Sequence, residues 1–479
     1  MEARAALLDS AEPPAVNGAL STLRAKHLYI ARISSGAVAQ LGERRNRTAE
    51  VRGSNPLGST SLDQRSIPTA DLDFAGPDSI LRQRNFVLFW AARVAATIAF
   101  QMQAVAIAWQ IYDLTNSPLT LGLVGLAQFI PAVLLFLVVG HVADRYDRRT
   151  ILRICQASEA LAAIALAVGT AGGWLTRELI LALVFLVGAA RAFESPTLQS
   201  LLPGLVPARL FSRAVAASAS ANQSAIIGGP ALGGLLYAVS PVAVYAVCGV
   251  LFITAAILIT VIRTDQPSPR RDPLSFETLF AGIAYIRRQP VILGAISLDL
   301  FAVLLGGATA LLPVFARDVF GIGAWGLGLL RASPALGAFM VSLILARWPL
   351  RRRVGHMMFA AVAAFGFATI VFALSRSFAL SIAALMVLGA ADMVSVVIRQ
   401  TLVQLQTPDA MRGRVSAVNA LFIGTSNQLG DFESGLMAAL FGTVSAVVIG
   451  GVGTLLVVLA WMRLFPQLLR AERLEPLRE

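Results

Sequence analysis

Nine ionisable side chains sit inside long apolar stretches of this chain: Arg93, Glu159, Arg191, Glu194, Asp299, Arg331, Asp392, Asp431 and Glu433. Charge is expensive in hydrocarbon, so a sequence keeps it there for use: pairing between helices, exchanging protons or lining a wet path. Gln101, Gln103 and Gln128 accompany these charges. Arg93, Thr97 and Gln101 recur every four residues and share one helix face. That face is read as looking into a water-filled central cavity, with Gln128, Arg191, Asp299 and Asp392 also lining it. Burial opposes ionisation of an acid and a nearby cation favours it, so a movable arginine can switch a carboxyl group between states. Asp431 and Glu433, with Arg331 at comparable depth, are the expected proton-coupling set. The two acids are two residues apart and point about 200° from each other, so only one of them faces the cavity.

Other chemistry lacks its parts. Cys155 and Cys248 lie in different apolar runs, and His27, His141 and His356 are scattered, so neither a disulfide framework nor a metal site is expected. Lys26 is the only lysine, and no glycine-rich phosphate loop ends in Gly-Lys. No nucleophile, base and metal ligands converge, so an enzyme is not expected. The reading is therefore a transporter without cofactors, driven by an ion gradient, with the proton as the first choice of ion. Its partners are a small-molecule substrate and the lipid bilayer, not nucleic acid, and it is read as a monomer.

The elements that must position these residues are long apolar helices. The chain has 479 residues, 57% hydrophobic and 14% charged, with a mean hydropathy of +0.72. Soluble domains carry about a quarter charged residues. From Phe86 onward the apolar runs are each about 20 residues, enough to cross hydrocarbon as helix. The spans are read as 86–111, 119–142, 150–170, 178–195, 214–238, 241–262, 291–316, 325–346, 354–374, 378–398, 415–441 and 444–465. The turns at Ser240 and Gly442 are the shortest. The net charge of +12 comes from arginines placed between the runs. Arg145, Arg148, Arg149, Arg263, Arg270, Arg271, Arg287, Arg288, Arg347, Arg351, Arg352, Arg353, Arg399, Arg412 and Arg414 fall on one side. Arg177, Arg317 and Arg376 fall on the other. Positive loops stay cytoplasmic, which places both termini in the cytoplasm.

The expected architecture is an all-α membrane protein of twelve transmembrane helices in two related six-helix bundles. The expected organisation is an N-terminal extension (1–80), a first bundle (81–262), a linker (263–289) with Pro267, Pro269 and Pro273, a second bundle (290–466) and a tail (467–479). Residues 1–80 are mixed in charge and rich in Ser, Gly, Pro and Arg, and are read as disordered. Their segment Gly36–Thr60 resembles a translated transfer-RNA gene, which would put the true start near 66–80. A genuine flexible tail and an organellar targeting segment are the other readings.

The bundles are related by an internal repeat. Val187-Gly188-Ala-Ala-Arg191 matches Leu388-Gly389-Ala-Ala-Asp392, and at the same offset Pro207 meets Pro408 and Arg213 meets Arg414. Parallel repeats of this kind place a substrate site between halves near the midplane. Arg93 and Asp299 fall at matching depths in spans 1 and 7, and Arg191 and Asp392 at matching depths in spans 4 and 10. Each pair is expected to face across the interface; the other reading pairs every charge inside its own half.

The motifs carry a family resemblance. Gly140-His-Val-Ala-Asp144-Arg145-Tyr-Asp147-Arg148-Arg149 resembles the signature loop of the major facilitator superfamily, with Asp147 where a glycine is usual. Asp144 there can accept from helix N-terminal amides. Asp144, Arg145, Arg148, Arg149, Glu194 and Arg414 form the expected cytoplasmic gate. Gly229-Pro230-Ala-Leu-Gly233-Gly234 is similar to the superfamily's antiporter motif, with Ala225 in place of its first glycine. Pro408-Asp409-Ala-Met-Arg412-Gly413-Arg414 and Ser426-Asn-Gln428-Leu-Gly430-Asp431-Phe-Glu433-Ser-Gly435 resemble the transmembrane secretion effector branch, which includes the enterobactin exporter. The resemblance covers about 80–466. It implies an exporter or antiporter in the bacterial inner membrane, with a siderophore as substrate. Efflux of drugs or other metabolites is the alternative, and a non-transporting sensor or assembly factor is the alternative of another class. Span 3 is usually peripheral in this superfamily, so Glu159 is read as a structural hydrogen-bonding acid.

Overall fold

A computed structural model describes residues 80–263, 276–350 and 352–472, apart from a few side chains within them. The N-terminal extension and the three linker prolines lie outside the described residues. Within them the secondary structure is α-helix, with short 3-10 and π turns.

Twelve long helices follow one another: α1 Arg84–Thr115, α2 Pro118–Arg145, α3 Arg148–Gly172, α4 Arg177–Leu201, α5 Phe211–Val239, α6 Pro241–Val261, α7 Pro290–Leu305, α8 Ala324–Arg347, α9 Val354–Leu374, α10 Phe378–Leu405, α11 Asp409–Phe441 and α12 Thr443–Leu464. Among the described residues ten helical segments are long and apolar enough to cross a membrane; α5 and α11 fall short of that hydropathy. Their polarity has a packing reason. Ser218, Asn222, Asn419, Gln428 and Asp431 lie on these two helices, and α5 packs most extensively on α1 and α11 on α2.

Local chemistry sets the helix ends. Asn116 turns left-handed (φ 49°) after α1 and donates its N–H to Tyr112 O, and Pro118 then opens α2; asparagine tolerates that backbone and proline suits a first helical position. Asp147 caps α3 by accepting from the Arg149 N–H at 3.1 Å, so the residue that departs from the signature loop is the capping acid. Ser240 caps α6 by accepting from the Ala243 N–H at 3.3 Å, and Gly442 (φ 85°) turns the chain into α12. Both short turns therefore fall where the sequence reading placed them.

Span 7 departs from a single helix. It breaks at Gly306-Gly307, runs through a 3-10 turn (Ala308–Leu311) and a short helical piece (Leu312–Val314), and ends in a π turn (Phe315–Val319). A Cβ on Gly307 would lie 2.8 Å from Ser434 Oγ and 2.9 Å from Gly430 O. The two glycines thus break the helix where α11 crosses it. Residues 276–288 of the linker also form a helix. It lays Ile286 and Gly282 against α11, and Tyr285 Oη donates to Gln406 O at 3.1 Å.

Helices α1 and α3–α6 pack chiefly within the first half and α7, α9, α10 and α12 within the second, while α2 and α11 pack most extensively on each other across the two halves. Phe86, Phe89, Ile111, Leu166, Tyr245 and Phe252 fill the first core, where a hydrogen-bond chain joins Tyr245, Gln110 and Thr170. The repeat reappears in the crossings. Gly188 of α4 packs its Cα face on Gln128 and Pro131 of α2, and Gly389 of α10 packs on Pro334 of α8. In each half a proline-bearing helix meets a glycine of the GAA motif, which only a residue without a side chain permits at this distance.

Candidate functional site

Each half holds a cluster of buried charge. In the first, Arg191 Nη1 meets Glu194 Oε2 at 2.8 Å within α4, and its guanidinium lies 4.1 Å from the Phe100 ring of α1. Glu194 is 1% exposed, and its Oε1 has no hydrogen-bond partner. Glu159 of α3 is fully buried, neither carboxyl oxygen has a hydrogen bond, and it sits in the field of Glu194 and Arg191. Arg93 of α1 donates to Ser218 Oγ of α5 at 3.0 Å and lies in the same field.

In the second half the cluster is tighter. Arg399 of α10 pairs with Asp299 of α7 at 3.1 Å and donates to Asn419 Oδ1 of α11 at 3.1 Å. Arg399 is 2% exposed and Asp299 5%. Asp392, two helical turns before Arg399, lies in the field of both. A buried pair like this is costly to break, because the remaining charge has no water to turn to.

Several expectations are corrected by this geometry. Arg93 does not pair with Asp299, nor Arg191 with Asp392: Arg93 bonds Ser218, Arg191 bonds Glu194 and Asp299 bonds Arg399, each inside its own half. Depth matched, but azimuth did not, because α10 places its own arginine against Asp299. Glu159 makes no structural hydrogen bond; no donor from α4 reaches its oxygens. The Arg93–Thr97–Gln101 face lies against α5 and stays partly exposed. Thr97 bonds Asn222 Oδ1 at 3.2 Å, and a Cβ on Gly229 would sit 2.6 Å from Gln101 Cβ. Arg399 is a buried ion-pair member, not a loop arginine; its spacing of seven from Asp392, two turns on one face, was the available signal.

For the gate set, Glu194 is engaged by Arg191. Arg148 Nη1 donates to Ser200 O at 2.7 Å, and Arg149 Nη1 to Ile262 O at 2.9 Å, which tie the α2–α3 turn to the first half. Arg145 is exposed, and Arg414 contacts Met411 Sδ at 3.6 Å. The Asp144 side chain lies outside the described residues.

The halves meet at the end opposite the arginine-rich loops. Gly122 of α2 and Gly435 of α11 cross so closely that a Cβ on Gly435 would lie 2.6 Å from the Gly122 Cα. Gly234 of α5 and Gly328 of α8 cross likewise, a Cβ on Gly234 falling 2.9 Å from the Gly328 Cα. The antiporter-like motif builds this second seam. Its Gly233 seats on the Met102 backbone of α1, and Pro230 O faces Gly328. Tyr112 Oη donates to Asp318, Arg317 pairs with Asp113 at 3.3 Å, and Arg331 Nη1 donates to Ala104 O at 3.2 Å, all across the halves. Asp431 lies at the α2–α11 seam, where a Cβ on Gly125 would meet its Cβ at 2.8 Å, and it shares a field with Arg331. Glu433 is half-buried beside Ser434. Tyr112, Asp113 and Asp318 were missed because they flank apolar runs, where polar residues are ordinary.

The fold is that of a major facilitator superfamily transporter. It superposes on a variant of the nucleoside transporter NupG with a TM-score of 0.64, at 12% identity over 80% of this chain and 100% of that one. It superposes equally well, TM-score 0.64, on a bacterial homolog of the human lysosomal transporter Spinster in an inward-facing, occupied conformation, at 15% identity over 81% of this chain and 97% of that one. Residues 75–478 match the model of the transmembrane secretion effector family, and the chain belongs to it. It is 26% identical over 402 residues to the enterobactin exporter EntS of Citrobacter koseri, spanning 82% of this chain and 94% of that one. It is 25% identical to EntS of Escherichia coli over the same shares. Family and fold are those of a membrane transporter for small molecules, not of an enzyme.

Proposed function

We propose that the chain is a proton-coupled secondary exporter of the bacterial inner membrane, moving a siderophore-like organic molecule outward. The observation that carries this reading is the one-ended closure: two glycine crossings and three polar links join the halves at the arginine-poor end. With arginine-rich loops in the cytoplasm, that arrangement is an inward-open state, the state in which an exporter loads. All twelve long helices then span the bilayer, α5 and α11 included, with both termini cytoplasmic. Residues 81–262 and 290–466 form the two bundles, and 263–289 link them. The names of its relatives support a siderophore as cargo, and the antiporter-like motif supports proton exchange. Asp431 beside Arg331 is the coupling acid, since it and not Glu433 adjoins both the arginine and the seam. Arg93, Arg191 and Gln101 hold α1, α4 and α5 around the substrate path. A single copy suffices.

Counterflow tests this. The purified full-length chain in liposomes loaded with unlabelled enterobactin is expected to accumulate labelled enterobactin several-fold above protein-free liposomes. Counterflow of amphiphilic drugs but not of the siderophore would move the cargo to drug efflux. No counterflow with either probe would overturn the transporter reading for these compounds.

A further inference from the structure

The second charge cluster holds more acid than base. Asp299 and the partly exposed Asp392 line one small, partly open cavity of about 10 Å³, together with Ala302, Val362, Phe365 and Ser395. Ser395 is 2% exposed, and its hydroxyl, on the wall of that cavity, has no hydrogen-bond partner. The charged groups facing Asp392 are Asp299 from α7 and Arg399 from its own helix. α9 contributes the apolar Val362 and Phe365, and α11 the neutral amide Asn419. Arg399 already pairs with Asp299 and bonds Asn419. Two acids therefore share one cation beside a cavity with room for about one water, which needs roughly 10–15 Å³.

We infer that the Asp299–Asp392 pair is a proton-binding site, a second one beside Asp431, with Asp392 as the acid that takes the proton. This rests on the proton-coupled reading above and extends it. In the step, a carboxylate oxygen of Asp392 forms an O–H bond with a proton delivered by water and later returns it to water. No electrons move. With Asp392 neutral, Asp299 and Arg399 balance each other; with Asp392 ionised, one cation must serve two anions. A metal cation does not suit the cavity. It would sit beside the guanidinium, and hard cations need six or more oxygen ligands or ordered waters. The site also reaches the gate. Arg399 ties α7 and α10 to Asn419 of α11, and α11 carries Gly435 of the closed seam. How Arg399 divides between the two acids therefore bears on the helix that must move when the halves separate.

Infrared difference spectroscopy on the purified full-length chain tests the site without any substrate. Acidification is expected to produce a carboxylic-acid band that is lost in Asp392→Asn. The same band is expected to vanish in Asp299→Asn, because one acid facing one arginine has no surplus to neutralise; interacting acids titrate as a unit. Asp431→Asn is expected to leave it. Asp392→Glu is expected to retain a titrating band at a shifted frequency, which covers the case in which Asp392→Asn fails to fold. A band unchanged in both Asp392→Asn and Asp299→Asn would overturn the site, as would an unshifted band in Asp392→Glu. The readout is proton binding and counterflow reads transport, so the two proposals fail separately.

Discussion

Replacing Arg399 by leucine is expected to destabilise the protein by about 3–5 kcal/mol, the usual cost of stripping one partner from a buried ion pair. Arg399 is 2% exposed and joins three helices, with Asp299 at 3.1 Å and Asn419 at 3.1 Å. Its loss leaves Asp299 buried without a cation and Asn419 without its donor. Adding Asp299→Asn is expected to recover part of the deficit, because a neutral amide costs far less to bury than an anion. Thermal unfolding of the detergent-solubilised variants, followed by tryptophan fluorescence, checks both. A single Arg399→Leu variant as stable as the parent would mean that water reaches the pair.

The second large effect belongs to the seams. Gly122→Leu and Gly328→Leu each place a side chain where the opposing backbone already lies in contact. The arginine-poor end can then no longer close. Each variant is expected to insert normally yet lose transport by more than about tenfold, as expected when a rate-setting conformational step is blocked. Spin labels at Leu114→Cys and Trp325→Cys, both on exposed positions near that end, report the separation. The background carries Cys155→Ala and Cys248→Ala, which removes the buried native thiols. The expected result is a longer distance in each leucine variant. An unchanged distance with unchanged transport would show that the seam need not close.

Much of this was legible in the sequence. Apolar run length gave the helix order, because it depends on composition averaged over many residues. The GAA repeat anticipated that α4 and α10 would be equivalent, and Gly188 and Gly389 do make matching crossings. The antiporter-like glycines announced close packing, though not that Gly233 would seat on α1 while Gly234 crosses to α8. Partner choice among the charges was not legible. Depth follows from counting residues along a helix, but azimuth depends on tilt and on neighbours, and a small rotation moves Asp299 from the interface to Arg399. The Gly306-Gly307 break carried a local signal in its glycine pair, but the apolar run continues through it and the close approach of Gly430 from another helix comes from tertiary packing. Glu159 was misread because a buried acid without a donor is rare and has no sequence signature of its own.

Transport driven by an imposed pH gradient tests the central claim most directly. Liposomes containing the purified chain, oriented by protease accessibility of the arginine-rich loops, receive a gradient that is acidic on the arginine-poor side. The siderophore probe of the counterflow assay is expected to move toward that acidic side, to stop when the gradient is collapsed, and to ignore the gradient in Asp431→Asn. Movement that continues at the same rate and in the same direction without a gradient would contradict proton-coupled export.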